Sequence, residues 1–191
     1  MEALKKAIRE QGQGIGQDIV KVDMFLNHRL DTALIFEMGR ELADHFRPKD
    51  PEIVLTVEAS GIAIALACAH FLGDIPVVFA KKSSAANQSE NMLMAAAHGF
   101  THGNDNVLRV DRSYLPAGKT VLVVDDFLAD GQASKALISI TQQAGCRLAG
   151  VGIAVEKGYQ AGGKALREAG VDLCSLAVVR GIRDGKILLE D

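Results

Sequence analysis

The fourteen residues Val121-Leu-Val-Val-Asp-Asp-Phe-Leu-Ala-Asp-Gly-Gln-Ala-Ser134 constrain the fold of this chain more than any other stretch. The apolar, β-branched run at its start reads as a buried strand. That strand delivers Asp125 and Asp126 to its C-terminal end, where ligands bind in open α/β sheets. A loop centred on Gly131 follows, and a helix begins near Ala133. Backbone N–H groups at a helix start, approached through a glycine loop, make a site for a phosphate. Ionised carboxylates only accept hydrogen bonds, so the adjacent pair suits two hydroxyls of a sugar. The stretch can therefore hold a ribose by its hydroxyls and by its terminal phosphate at once. The same residues also describe a strand ending in two solvated aspartates and a plain turn.

The rest of the chain supplies neighbours for such a strand. Residues 53–57, Ile-Val-Leu-Thr-Val, form a second buried run, and residues 77–80 and 148–155 form two more around the strand at 120–124. Helices are expected at 62–72, which is rich in alanine, and at 133–144. In the latter, Ala133, Ala136, Leu137, Ile140 and Ala144 share one face and Gly145 stands at the C-terminal cap position. Asp31 caps a further helix through Leu34, Ile35, Met38, Leu42 and Phe46. Alternating strands and helices predict an α/β fold with a mostly parallel sheet covered on both faces. Residues 82–106 break the pattern, being rich in Ser, Asn, Gln and His with only a weak helical stretch at 91–97. A polar segment of this length is a candidate lid.

Composition narrows the class. With 21 basic and 24 acidic residues, the formal charge of −3 argues against a phosphate-backbone partner. The length of 191 residues, with 48% hydrophobic and 24% charged, suits one soluble domain with its own core. The charged, amphipathic opening MEALKKAIRE is no signal peptide, and no apolar stretch is long enough for a membrane span. Cys68, Cys146 and Cys174 are odd in number and sit among apolar residues, so they read as reduced core thiols of a cytoplasmic protein.

Residues 121–134 resemble the phosphoribosyl-pyrophosphate (PRPP) motif of the type I phosphoribosyltransferases. The resemblance to the xanthine phosphoribosyltransferase branch extends to MEALKKAI, Val20-Lys-Val-Asp-Met-Phe-Leu-Asn-His28, Glu58-Ala-Ser-Gly61, Phe79-Ala-Lys-Lys82 and Ile153-Ala-Val-Glu-Lys157. It implies a magnesium-dependent purine-salvage enzyme that joins xanthine to PRPP, giving xanthosine monophosphate and pyrophosphate. It also implies one domain over 1–191, with hood elements at about 1–30 and 156–191, and a homodimer. Asp125 and Asp126 would hold the ribose hydroxyls. Ala129, Asp130, Gly131, Gln132 and Ala133 would cradle the 5-phosphate. Ala59, Ser60 and Gly61 would bind pyrophosphate through a turn that family members often strain, with positive charge from Lys81 and Lys82. Val20, Asn27 and Lys157 match the base contacts. The magnesium would be held mainly by PRPP rather than by a protein cage.

The chemistry implied needs no nucleophile from the protein. Displacement at the anomeric carbon passes through an oxocarbenium-like state, so charge on the leaving pyrophosphate must be neutralised and water excluded. Lys157 can only donate, which favours a base with an oxygen at position six over adenine. By itself it would pass for a surface lysine after a strand. The Asn27 amide can donate or accept, so it separates xanthine from guanine poorly. Several positions depart from the superfamily. Ala129 replaces an aspartate that can take the purine proton in hypoxanthine-guanine enzymes. Asp130 puts a carboxylate where the branch commonly has asparagine, Lys81 replaces a frequent arginine, and Ser83 and Ser84 occupy a stretch that often carries a further basic residue.

Other candidates are weaker. His98 and His102 are spaced for a helical metal pair, but no helical pattern supports 99–103. His28, His45 and His70 read as structural or surface residues, and Gly12-Gln-Gly-Ile-Gly16 is no nucleotide fingerprint. Two rival functions stay open at this point. One is a PRPP-sensing regulator acting on DNA or RNA, disfavoured by the charge and by the fold starting near residue 1. The other is the same enzyme class acting on guanine, hypoxanthine or adenine.

Overall fold

A computed structural model of the chain describes residues 1–82, 91–97 and 106–190. In chain order the elements are α1 (Glu2–Gln11), β1 (Gln13–Ile15), β2 (Ile19–Lys21), a π-helical turn (Asp23–Asn27), α2 (Thr32–Phe46), β3 (Ile53–Val57), α3 (Gly61–Phe71) and β4 (Val77–Ala80). They continue with β5 (Met92–Ala97), β6 (Asn106–Asp111), β7 (Thr120–Leu128), α4 (Gln132–Gln143), β8 (Arg147–Lys157), α5 (Ala161–Glu168), β9 (Leu173–Arg183) and β10 (Lys186–Leu189). Among the described residues the main sheet has six strands in the order β10-β9-β8-β7-β3-β4. Every pairing in it is parallel except β9 with β10. The expected α/β sheet is therefore present.

Alternation along the central strands builds two cores. Val54, Leu122 and Val124 face one side with Leu4, Ile8, Met38, Leu42, Phe46 and Ile64 from the first three helices. Leu55, Val121, Val123, Val151 and Ile153 face the other with Leu137, Ile140 and Leu166. Asp31 caps α2 as expected, its Oδ1 accepting from the Leu34 N–H at 3.1 Å. The α2 helix lies close on β8 because a Cβ at Gly152 would stand 3.0 Å from Leu42 Cδ2, and one at Gly150 would run into the Phe46 ring. Truncating fully buried Phe46 to Ala there would cost about 3–5 kcal/mol.

Three sequence expectations change. Residues 91–97 contain a strand, β5, rather than a weak helix, since Met92-Leu-Met-Ala-Ala-Ala97 pairs antiparallel with β6 and buries Leu93. Alanine and methionine favour helix locally, and tertiary pairing overrides that preference. Most of the remaining lid segment, including Ser83, Ser84, His98 and His102, lies outside the described residues. Second, β7 runs past Val124 to Leu128, so Asp125 and Asp126 are strand residues, 4% and 8% exposed, rather than a solvated end. Third, only Cys68 is a core thiol, pushed up to about 12 by burial. Cys146 and Cys174 are half-buried, and all three are free thiols. No helix among the described residues is long and apolar enough to cross a membrane.

Candidate active site

The order of the sheet locates the site. From β3 the chain crosses through α3 to β4 on one side, whereas β7 pairs on the other side of β3 and leads through α4 to β8. The C-terminal ends of β3 and β7 thus flank the point where the winding reverses, and a crevice opens there. The cleft measures about 220 Å³ and is lined by Glu58, Ser60, Lys82, Asp125, Asp126, Asp130 and Ala133, among others. Larger grooves of about 480 and 560 Å³ lie elsewhere and contain none of the sequence-predicted site residues. Size does not identify the site; converging chemistry does.

Two helix N-termini meet at this cleft. One follows Ala59 and Ser60, where the Glu58–Ala59 peptide is cis and the Ser60 side chain caps nothing. The Ile62 N–H of the first turn of α3 donates to the Ala59 carbonyl at 3.2 Å, and no Ser60 side-chain cap competes with an anion for the turn's other backbone donors. A side chain at Gly61 would collide with Thr56 Oγ1 and come within 2.9 Å of Asp125 Oδ1, so only glycine lets α3 start against the carboxylate. The second N-terminus is α4, entered through Gly131 at φ +84°. Asp130 Oδ1 accepts from the Gln132 N–H at 3.1 Å. Its carboxylate thus occupies a donor of the cradle itself rather than turning into solvent.

Between the helices sit the carboxylates. The Asp126 N–H donates to Asp125 Oδ1 at 2.9 Å. Burial, and then the charge of Asp126, hold the Asp125 carboxyl well above its ordinary range, while Lys82 pulls the other way. Such a pair has unmet demand for positive charge or for hydroxyl donors. Lys82 lines the cleft, and its backbone N–H donates to Glu58 Oε1 at 2.6 Å. Lys81 is exposed and does not line the cleft; its backbone pairs with Arg109 in both directions, at 2.9 and 3.0 Å. The Arg109 guanidinium donates to the carbonyls of Lys82, at 3.3 Å, and Val107, at 2.8 Å.

The residues expected to contact the base come from three separate segments. The β7–β8 register opposes Leu128 to Glu156, so Lys157 stands level with Ala129 at the start of the 129–133 loop. Lys157 Nζ donates to the Asp18 carbonyl at 2.7 Å, which joins it to the β1–β2 hairpin carrying buried Val20. Burial pulls the Lys157 ammonium below its usual range, against the attraction of Asp18. Asn27 ends the π-helical turn and is exposed.

Sequence reasoning missed the supports of this site. Helix α5 packs Gly162 against the loop. The Gly162 N–H donates to the Ala129 carbonyl at 3.1 Å, and a Cβ at Gly162 would lie 2.5 Å from that oxygen and 2.7 Å from the Gly131 nitrogen. The pair Gly162-Gly163 at a helix start was the visible signal, because glycine is a poor helix former there without a packing reason. Next to Lys157, buried Glu156 is gripped by Arg167 through two bonds of 2.7 Å and accepts from Ser175 at 2.5 Å. Burial would raise the Glu156 carboxyl, but the Arg167 and Ser175 bonds outweigh it and the net direction is down.

Paired carboxylates at a switch point, facing two helix N-termini, define a class of α/β proteins that hold phosphorylated, hydroxyl-rich ligands. Comparison with known proteins makes the assignment specific: residues 22–173 match the phosphoribosyl transferase domain, and the chain belongs to that family. It is 46% identical over 187 residues to a xanthine phosphoribosyltransferase of Ruminiclostridium cellulolyticum, covering 98% of each chain. With a xanthine phosphoribosyltransferase of Heliobacterium modesticaldum it shares 47% identity over 188 residues, 98% of this chain and 99% of the other. Among solved structures, adenine phosphoribosyltransferase from Rhodothermus marinus superposes with a TM-score of 0.71 at 22% identity, covering 93% of this chain and 97% of that one. That likeness shows the fold alone.

Proposed function

We propose that this protein transfers the phosphoribosyl group of PRPP to xanthine, releasing pyrophosphate and forming xanthosine 5′-monophosphate. The observation that carries the reading is the buried pair Asp125–Asp126 between two helix N-termini that open on one cleft. Full-length relatives named for this activity support the choice of base. Asp125 and Asp126 accept the ribose hydroxyls. The 129–133 loop, with the first turn of α4, takes the 5-phosphate, and the turn at Ala59, Ser60 and Gly61, with Lys82, takes pyrophosphate. Lys81 serves pyrophosphate only from another chain or after a rearrangement, since it is exposed outside the cleft. Lys157 donates to the six-oxo group, with Val20 and Asn27 as further base contacts.

Magnesium fits this arrangement in one mode. No group of three or more His, Cys, Asp or Glu able to hold a metal occurs among the described residues. Magnesium would be held mainly by the oxygens of PRPP, with Asp125 and Asp126 taking the ribose hydroxyls. When bound it neutralises charge on the leaving pyrophosphate. The protein's own share is to orient the sugar, offer backbone donors to both phosphate ends and place Lys82 beside the leaving group.

We read residues 1–191 as one domain whose hood is built from 1–30 and 156–191. The contacts that support this are the Met1 amine on the Leu176 carbonyl at 2.6 Å and the Gly14 N–H on the Gly185 carbonyl at 2.9 Å. A homodimer and a cytoplasmic location complete the proposal. Phe36 and Leu66, 47% and 62% exposed, offer apolar surface for the first, and the free thiols suit the second. The deciding experiment measures pyrophosphate release with xanthine, guanine, hypoxanthine and adenine at fixed PRPP and magnesium. Xanthine should give the highest kcat/KM. A higher value for any other base would reassign the substrate within the same class.

A further inference from the structure

The Asp18 carbonyl, at the tip of the β1–β2 hairpin, receives two side-chain donors from one short turn. After β8 the chain bends sharply, with the Gly158 N–H on the Val179 carbonyl at 2.8 Å and the Gln160 N–H on the Lys157 carbonyl at 2.9 Å. This turn sets Lys157 and Tyr159 side by side. Lys157 Nζ donates to the Asp18 carbonyl at 2.7 Å and Tyr159 Oη donates to the same oxygen at 3.1 Å. A carbonyl has two lone pairs, so both bonds coexist. The hairpin tip has little else to hold it: residues 15–19 are exposed, with Ile15 and Ile19 at 46% and 56%. By contrast, the Tyr159 ring packs against the core on the α1–α3 side of the sheet.

We propose that Tyr159 is a positioning residue for the purine base, holding the β1–β2 hairpin by the Asp18 carbonyl so that Lys157 is released to donate to the substrate. The inference rests on the reading that Lys157 contacts the base. The donor count gives the reason. An ammonium has three N–H groups, and one of them is spent on Asp18. The Tyr159 hydroxyl has a single hydrogen, and that hydrogen also goes to Asp18, so Tyr159 acts through the hairpin and not on the base. While Tyr159 holds the carbonyl, Lys157 can share or leave it without freeing the hairpin, and Val20 stays in place. Without the hydroxyl, Lys157 alone must both hold the hairpin tip at Asp18 and meet the base oxygen, while the Gly14 N–H on the Gly185 carbonyl ties down only the other end of the hairpin.

The test is Tyr159→Phe in the full-length enzyme, with Lys157→Met measured alongside. The KM for xanthine is expected to rise roughly three- to tenfold, the span of one hydrogen bond, with the KM for PRPP unchanged and the Tm preserved. Amide hydrogen exchange over residues 13–21 should speed up in the Phe variant without substrate. An unchanged xanthine KM, an equal rise for PRPP, or unchanged exchange would overturn the proposal. If Lys157→Met raises the xanthine KM while Tyr159→Phe does not, the tether alone fails. If Lys157→Met leaves it unmoved, the base reading of Lys157 fails and the proposal falls with it.

Discussion

The two ends of the candidate site are built differently. At the proposed phosphate end the groups on offer are mostly backbone donors of two helix starts, at 59–61 and 129–133, packed by glycine contacts: Gly131 against Gly162, and Gly61 against Asp125. At the proposed base end the groups would be side chains from residues 20, 27 and 157, with the hairpin tip held by the bonds to the Asp18 carbonyl. Backbone donors at a helix start keep their geometry whatever the neighbouring side chains are. Side chains on a hairpin and a strand end depend on tertiary contacts and can change with few substitutions. The difference suits a family that keeps one sugar-phosphate donor and varies the base.

The largest expected effect comes from removing the fixed charge at the phosphate end. Asp125→Ala with Asp126→Ala should lower kcat/KM by roughly 10²–10³-fold while circular dichroism stays native. Activity near the parent level would take the pair out of the mechanism. Next, Gly162→Ala should push Ala129 and Gly131 out of register without touching the substrate. The KM for PRPP should rise roughly tenfold or more and that for xanthine much less, since small displacements of a positioning loop are costly. Equal changes would mean that the two ends are not separable.

A third test uses stability against pH. Burial and Asp126 raise the Asp125 carboxyl in the folded state, so the protonated form is favoured on folding. That stabilising contribution is complete below the unfolded value and is lost as pH rises toward the folded one. Asp125→Asn should therefore raise the Tm by about 2–6 °C near neutral pH, and by less at about pH 4, even as activity falls. A uniform Tm shift across that range would remove the buried charge as its cause. Arg167→Met leaves Glu156 buried without its cation, with only the Ser175 hydroxyl still donating to it. Because the Arg167 side chain is 47% exposed, the expected loss is about 2–3 kcal/mol, below that of a fully buried pair. Urea denaturation gives this value directly.

The smallest expected effect is at Asp130. Its carboxylate accepts from Gln132 N–H within the cradle, where a dianionic phosphate would compete for the same donor. One charge against another at about 6 Å and an effective dielectric near 20 amounts to roughly 2–3 kcal/mol before screening. Asp130→Asn keeps an acceptor and removes the charge, so PRPP should bind several-fold tighter, most clearly at low salt. Calorimetry showing unchanged or weaker binding would mean that the carboxylate shapes the loop and does not oppose the ligand.

The same contrast explains what was legible in the sequence. Strand, carboxylates, glycine loop and helix follow one another within 121–134, so local rules sufficed to read that order of elements. β3, β4 and β8 were visible as apolar runs. The end of β7 was misplaced because Asp125 and Asp126 are poor strand residues, kept in the ladder by pairing such as Asp125 with Ile153. The segment 91–97 looked helical because alanine carries no record of its partner strand. Helix α5 carries two glycines, and β9 mixes Ser175, Arg180 and Gly181 into its apolar run, so neither shows a clean period. At the base end, resemblance alone supplied Val20, Asn27 and Lys157. The Asp18 link is a backbone carbonyl contacted across 139 residues of sequence, and no local pattern encodes it.

Lys157→Met, assayed with both substrates varied in turn, tests the division of the site most directly. Met keeps the length and apolar stem of lysine and removes only the charged donor. The KM for xanthine should rise at least roughly tenfold, as for loss of one charged hydrogen bond, while the KM for PRPP stays within about twofold. Equal rises in the two constants would contradict the account, because the base end and the phosphate end would then be one site.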